Sequence, residues 1–138
     1  MKTKGPILLV EDDADDVFFI SRALKAIVGL PLDVVNDGVS AIEYLSNFST
    51  APSLIVLDLN LPRKSGIEVL RWIRSSSRWR LMIVLVLTSS TAETDMTQAY
   101  SLGANSYIIK PADATKLMHL AEFIRDYWLT WNQQPPST

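Results

Sequence analysis

The stretch I-L-L-V-E-D-D-A-D-D, residues 7–16, decides how the chain reads. Four aliphatic residues in a row look like a strand buried on both faces, and the run is too short for a helix. Directly after them stand Glu11, Asp12, Asp13, Asp15 and Asp16. The chain holds fifteen acidic residues, so a third of them crowd this one step. Like charges this close repel, so the arrangement needs a use. A helix that starts here accounts for part of it, because acids in the first turn interact favourably with the helix dipole.

Outward from this step the same alternation repeats. Further short apolar runs lie at Leu32–Val35, Leu54–Leu57, residues 81–87 and Ser106–Ile109. Segments with helical spacing separate them. Residues 14–28 stop at Gly29 and Pro31, and residues 39–48 follow the turn Asn36-Asp37-Gly38. Residues 65–74 follow Leu61-Pro62-Arg63, and residues 92–102 end at Gly103, a left-handed C-cap. A last helix starts near Ala112, with apolar residues at positions 117, 120, 121, 124, 128 and 131. Five strand–helix units predict an α/β fold, (βα)5, with a doubly wound parallel sheet in one domain over residues 1–131. The Pro- and Ser-rich residues 132–138 read as a disordered tail.

Composition narrows the chemistry. The 138 residues suit one core, with 48% apolar and 20% charged residues. A net charge of −2 gives no bulk attraction for nucleic acid or an anionic membrane. With no cysteine there is no disulfide, thiolate zinc site or thiol catalysis. The N-terminal M-K-T-K-G-P leads into an apolar run too short for a signal peptide, and residues 81–87 are far too few for a membrane span. A cytoplasmic location is the expectation.

Ligands of open parallel sheets bind beyond the carboxyl ends of the strands. At those ends stand Asp12 and Asp13, then Asp58 after Leu57, Thr88 after Leu87 and Lys110 after Ile109. Three converging carboxylates raise one another's pKa unless a cation neutralises them. Oxygen donors of this kind suit Mg2+, which takes carboxylates, waters and phosphate oxygens. A carboxylate such as Asp58 can attack phosphorus and become an acyl phosphate, with the metal and Lys110 stabilising the transferring group and Thr88 donating to a phosphoryl oxygen.

These residues, in this order and spacing, resemble the receiver domains of two-component response regulators. The likeness rests on Asp12-Asp13, Asp58 in V-L-D-L-N-L-P, Thr88 in L-T-S-S and Lys110 in G-A-N-S-Y-I-I-K-P, and spans about residues 5–128. It implies the flavodoxin-like strand order 2-1-3-4-5. It also implies that Asp58 takes a phosphoryl group from a phosphohistidine of a sensor histidine kinase. Asp13 and Asp58 would bind Mg2+ directly, with the Asn60 carbonyl as a third ligand and Asp12 acting mostly through water. Thr88 and Lys110 would hold the phosphoryl oxygens, and Thr88 with Tyr107 would form the switch. Lys110-Pro111 is a candidate cis peptide. Such a chain is not an enzyme beyond its own phosphorylation and dephosphorylation. D-L-N-L-P-R-K-S-G and V-E-D-D-A-D-D resemble the stand-alone regulators paired with phytochrome-type kinases, although Ser65 replaces an acid often found there.

Other residues read more plainly. Asp15 and Asp16 dress the helix dipole, and Glu11 is a solvated rim residue. The sole histidine, His119, lies in the last helix, on the surface and away from the rim. R-W-I-R-S-S-S-R-W-R, residues 71–80, mixes arginines with tryptophans as single-strand binders do, but a helix end with packed aromatics suits the charge balance better. Met118, Phe123, Trp128 and Trp131 make the last helix apolar beyond one stripe. With the family's habit of pairing through the fourth and fifth helices, this implies a homodimer. An aspartyl phosphatase would need an acid where Asn60 stands, and a flavodoxin would need a hydroxyl- and glycine-rich loop after the first strand. A receiver-like module that binds partners without phosphorylation is the alternative. No folded output domain is expected after residue 131.

Overall fold

The computed structural model describes residues 5–47 and 51–136. Phe48, expected at the end of the second helix, and the last two residues of the tail lie outside the described residues. Strands β1 (Ile7–Val10), β2 (Leu32–Val35), β3 (Leu54–Leu57), β4 (Val84–Thr88) and β5 (Ser106–Ile109) alternate with helices α1 (Ala14–Ile27), α2 (Gly38–Asn47), α3 (Gly66–Ser75), α4 (Glu93–Ser101) and α5 (Ala114–Phe123). All pairings are parallel, in the order β2-β1-β3-β4-β5.

The period-2 alternation of strand side chains builds two cores. Leu8, Val10, Ile55, Leu57, Val84 and Val86 point to one face, where they meet α2, α3 and Trp79. Ile7, Leu9, Leu54, Val56, Leu85 and Leu87 point to the other, against Ile20, Ala23 and Leu24 of α1 and Ala121 of α5. Strands β1, β3 and β4 are buried along their whole length, which is why they carry apolar residues at every position.

Three expectations are corrected. Strand β4 starts at Val84, not at Leu81, which is 46% exposed. The segment before it turns back, with Met82 N–H donating to Trp79 O, and the Arg74 guanidinium holds the carbonyls of Arg80 and Met82. The Lys110–Pro111 bond is trans, the isomer that X–Pro bonds favour by about 0.5–1 kcal/mol. The last helix changes its winding: after α5 a π-helical segment runs Ile124–Trp131. Asn132 N–H and the Thr130 hydroxyl both donate five residues back, to Tyr127 O and Arg125 O. The wider turn shifts the phase, so Leu129 is buried while Trp131, read as part of this helix's apolar surplus beyond the core stripe, is 78% exposed.

The tryptophans of residues 71–80 are packed. Trp79 is buried and donates from Nε1 to Leu45 O, with the Arg78 guanidinium over its ring, and Trp72 packs on the same core.

Candidate functional site

Three site residues are the next rung of a backbone ladder beyond a strand end. Glu11 N–H donates to Val35 O, Asp58 N–H to Val10 O, and Lys110 N–H to Thr88 O. The register pairs Val10 with Leu57, so Glu11 and Asp58 emerge side by side. The sheet thus fixes the backbone of the rim before any side chain acts.

Glu11, Asp12 and Asp58 each place a carboxylate oxygen within 4.8 Å of the others. Glu11 and Asp58 are buried and Asp12 is exposed, so the cluster opens to solvent on one side. Three hard oxygen donors at this separation fit a divalent metal. Asp13, expected as a direct ligand, is not brought into this group. Its Oδ1 accepts from Asp16 N–H at 2.9 Å and caps α1.

Glu11 corrects the reading of a solvated rim residue. It is 1% exposed, and its Oε2 accepts from Asp12 N–H and Asp13 N–H while its Oε1 pairs with Lys110 Nζ at 2.6 Å. Burial pushes its carboxyl up to about 7, against the lowering effect of the Lys110 hydrogen bond and with the Asp58 charge raising it further. The signal was available in the register: Asp58 directly follows its strand, and the first acid after β1 is Glu11.

Lys110 Nζ also pairs with Asp16 Oδ2 at 2.7 Å and Asp58 Oδ2 at 3.1 Å. Asp16 is therefore more than a dipole partner. Burial alone would lower the Lys110 pKa, but the hydrogen bonds to Asp16, Glu11 and Asp58 outweigh it and hold the ammonium above its ordinary value. Asp58 Oδ1 accepts from Asn60 N–H at 3.3 Å.

Thr88 ends β4, fully buried, and its hydroxyl has no hydrogen-bond partner among the described residues. It does not cap α4, which starts at Glu93. A buried hydroxyl without a partner calls for an explanation, and a donor to a ligand oxygen at the rim is one that fits its place. Tyr107 is half-buried, its hydroxyl donating to Ser90 O at 3.0 Å and its N–H donating to Tyr100 Oη. His119 is exposed, as expected.

A five-stranded parallel sheet in this order, with three acids, a hydroxyl and a lysine on its carboxyl rim, is the arrangement of a receiver-type fold. Residues 7–122 match the response regulator receiver domain, and the chain belongs to that family. It is similar to the response regulator Rcp1 of Synechocystis sp., 36% identical over 129 residues, covering 89% of this chain and 88% of that one. It is 40% identical to the probable methanogenesis regulatory protein FilR2 of Methanothrix harundinacea, over 94% of this chain and 86% of the relative. Among solved structures, the phosphorylated cyanobacterial phytochrome response regulator RcpA superposes with a TM-score of 0.89 at 37% identity, covering 97% of this chain and all (100%) of that one. The Mn(2+)-bound form of Rcp1 superposes with a TM-score of 0.86 at 34% identity, covering 96% and 99%. Among the described residues, no helix is long and apolar enough to cross a membrane.

Proposed function

We propose that this chain is a phosphoacceptor switch: Asp58 takes a phosphoryl group from the phosphohistidine of a sensor kinase, with Mg2+ as cofactor, and the change alters which proteins it binds. The observation that carries this is the meeting of Asp12, Asp58, Lys110 and the unpartnered Thr88 hydroxyl at one rim. In the transfer, the P–N bond of the donor breaks, an Asp58 carboxylate oxygen bonds to phosphorus, and the imidazole keeps the electron pair. Lys110 offsets charge on one phosphoryl oxygen and Thr88 donates to another. Asp12, Asp58 and the Asn60 carbonyl would hold the metal, with Glu11 beside them. The bound cation would neutralise the carboxylates and the phosphoryl oxygens. Chemistry of this kind makes the chain a substrate of its kinase and no enzyme on other molecules.

Tyr107, tied to the backbone two residues beyond Thr88, is the relay in this reading: a move of Thr88 toward the phosphoryl group shifts the loop that the Tyr107 hydroxyl grips. Similarity to RcpA, a cyanobacterial phytochrome response regulator, supports a phytochrome-type kinase as donor, and a kinase of that kind would meet this chain in the cytoplasm. For a homodimer through α4 and α5, the support is where apolar surface remains. Of the eight large hydrophobics exposed among the described residues, Tyr100, Ile109, Phe123, Tyr127 and Trp131 lie on α4, β5 and the last helix.

Intact mass after incubation with Mg2+ and acetyl phosphate tests the central step. One phosphoryl adduct is expected, absent in Asp58→Ala and without Mg2+. An adduct that survives Asp58→Ala, or none in the wild type, overturns it; the second result favours a binding module that works unphosphorylated.

A further inference from the structure

We propose that Asp16 is a positioning residue for phosphoryl transfer, anchoring the Lys110 ammonium beside Asp58; this rests on the reading of Asp58 as phosphoacceptor. An ammonium has three N–H donors. Those of Lys110 face three carboxylates: Glu11 Oε1 at 2.6 Å, Asp16 Oδ2 at 2.7 Å and Asp58 Oδ2 at 3.1 Å. Asp16 is thus closer to the ammonium than the residue Lys110 is meant to serve. It lies outside the group of carboxylates suited to a metal, which comprises Glu11, Asp12 and Asp58. Its contact with Lys110 joins residues 94 positions apart in sequence.

The lysine stem is flexible by nature, and the Lys110 side chain is only 11% exposed. Asp58 loses its negative charge when its carboxylate oxygen becomes part of an acyl phosphate, so it cannot keep Lys110 in place through the reaction. Glu11 and Asp16 can. Glu11 grips from beneath, inside the protein, and Asp16 grips from α1, with its carboxylate 38% exposed. The two together fix the direction of the third N–H, which is the one left for a phosphoryl oxygen.

Asp16 is itself firmly mounted. Asp13 Oδ1 accepts from Asp16 N–H at 2.9 Å, so the cap of α1 fixes the backbone that carries the anchoring carboxylate. Four of the five clustered acids then have separate work. Asp12 would face a bound cation, Glu11 supports the rim and the lysine from inside, Asp13 caps, and Asp16 holds the lysine from α1.

The test measures phosphorylation by acetyl phosphate in excess Mg2+, by intact mass over time at several donor concentrations. Variants Asp16→Ala and Asp16→Asn are read in the wild-type and Lys110→Ala backgrounds. Asp16→Ala is expected to lower the maximal rate by roughly tenfold, on the scale of effects from misplaced groups, with little change in the half-saturating donor concentration. Asp16→Asn keeps an acceptor oxygen and should recover part of the loss. In the Lys110→Ala background, Asp16→Ala should change nothing further. The nitrogen-15 signal of the Lys110 ammonium supplies a second readout and should broaden or vanish in Asp16→Ala. A rate that is unchanged or faster, an equal loss in both backgrounds, or a Lys110 signal that stays put overturns the inference. A wild type that accepts no phosphoryl group overturns the underlying reading instead.

Discussion

Thr88 carries its hydroxyl fully buried and unpartnered, a condition that costs about 1–3 kcal/mol. Replacing it with the isosteric valine removes that cost, so Thr88→Val should unfold at the same temperature or higher. The same variant should still accept a phosphoryl group but fail to pass the change on to partners, which binding assays with phosphorylated protein would show. Glu11→Gln follows a related logic. The rim sets Glu11, Asp12, Asp16 and Asp58 against the single charge of Lys110, so neutralising one carboxylate relieves repulsion. We expect the metal-free protein to gain roughly 2–4 °C in melting temperature, from about 1 kcal/mol in a domain of this size. The extra stabilisation by added Mg2+ should shrink, with affinity lower by about tenfold. Asp37 sets part of the acid limb. Ser40 N–H, the Ser40 hydroxyl and Arg63 hold its carboxyl below its ordinary value of 3.8. A depressed folded pKa means that the unfolded chain takes up protons first, so this stability is present above about pH 4 and lost as pH falls below it. Denaturation curves of Asp37→Asn should show a shallower loss over that range. Most site residues could be read from the sequence because strand ends are marked by a sudden change from apolar to charged. Glu11 obeys the same rule, following β1 as directly as Asp58 follows β3, and the register of Val10 with Leu57 sets the two side by side.

Helices and strands were legible where hydrophobic period and caps agreed. Helix α3 begins with a capping box, Ser65 accepting from Glu68 N–H and Glu68 returning to Ser65 N–H, and S-G-I-E shows it in the sequence. Gly103, with φ of +90°, ends α4 as glycine at that position should. The start of β4 was hidden because a distant group sets it. The Arg74 guanidinium donates to the carbonyls of Gly103, Arg80 and Met82 and to Asn105 Oδ1, clipping α3 to both sides of β4. Arg74→Met keeps the stem and loses these bonds, and should cost about 2–3 kcal/mol in urea unfolding. Gly66 brings the start of α3 against the backbone of the rim: a Cβ there would lie 2.2 Å from Asp58 O. Gly66→Ala must push Asp58 aside, and should slow phosphorylation as well as lower stability. The π winding of Ile124–Trp131 was equally hidden, because the apolar residues of that segment satisfy more than one period.

At the scale of the whole molecule every strand was legible, and the two edge strands keep the bounds read from the sequence, while interior β4 starts later than its apolar run. β2 is only half-buried and β5 leaves Ile109 40% exposed, so less of the edges is fixed by packing. The apolar surface on α4, β5 and the last helix gives a prediction at this scale. Sedimentation should show a dimer that weakens in Tyr127→Ala and Trp131→Ala, while Phe18→Ala on α1 leaves it unchanged. A monomer at all concentrations would rule the pairing out.

The change of winding after Phe123 also has an optical consequence. It stacks Tyr127 on Phe123, with ring centroids 5.8 Å apart, and turns Trp131 outward, while Trp79 is buried and Trp72 and Trp128 pack against the cores. One of four indoles is therefore open to a collisional quencher such as iodide. Its emission reports on whatever comes to cover the last helix, with no label added to the chain.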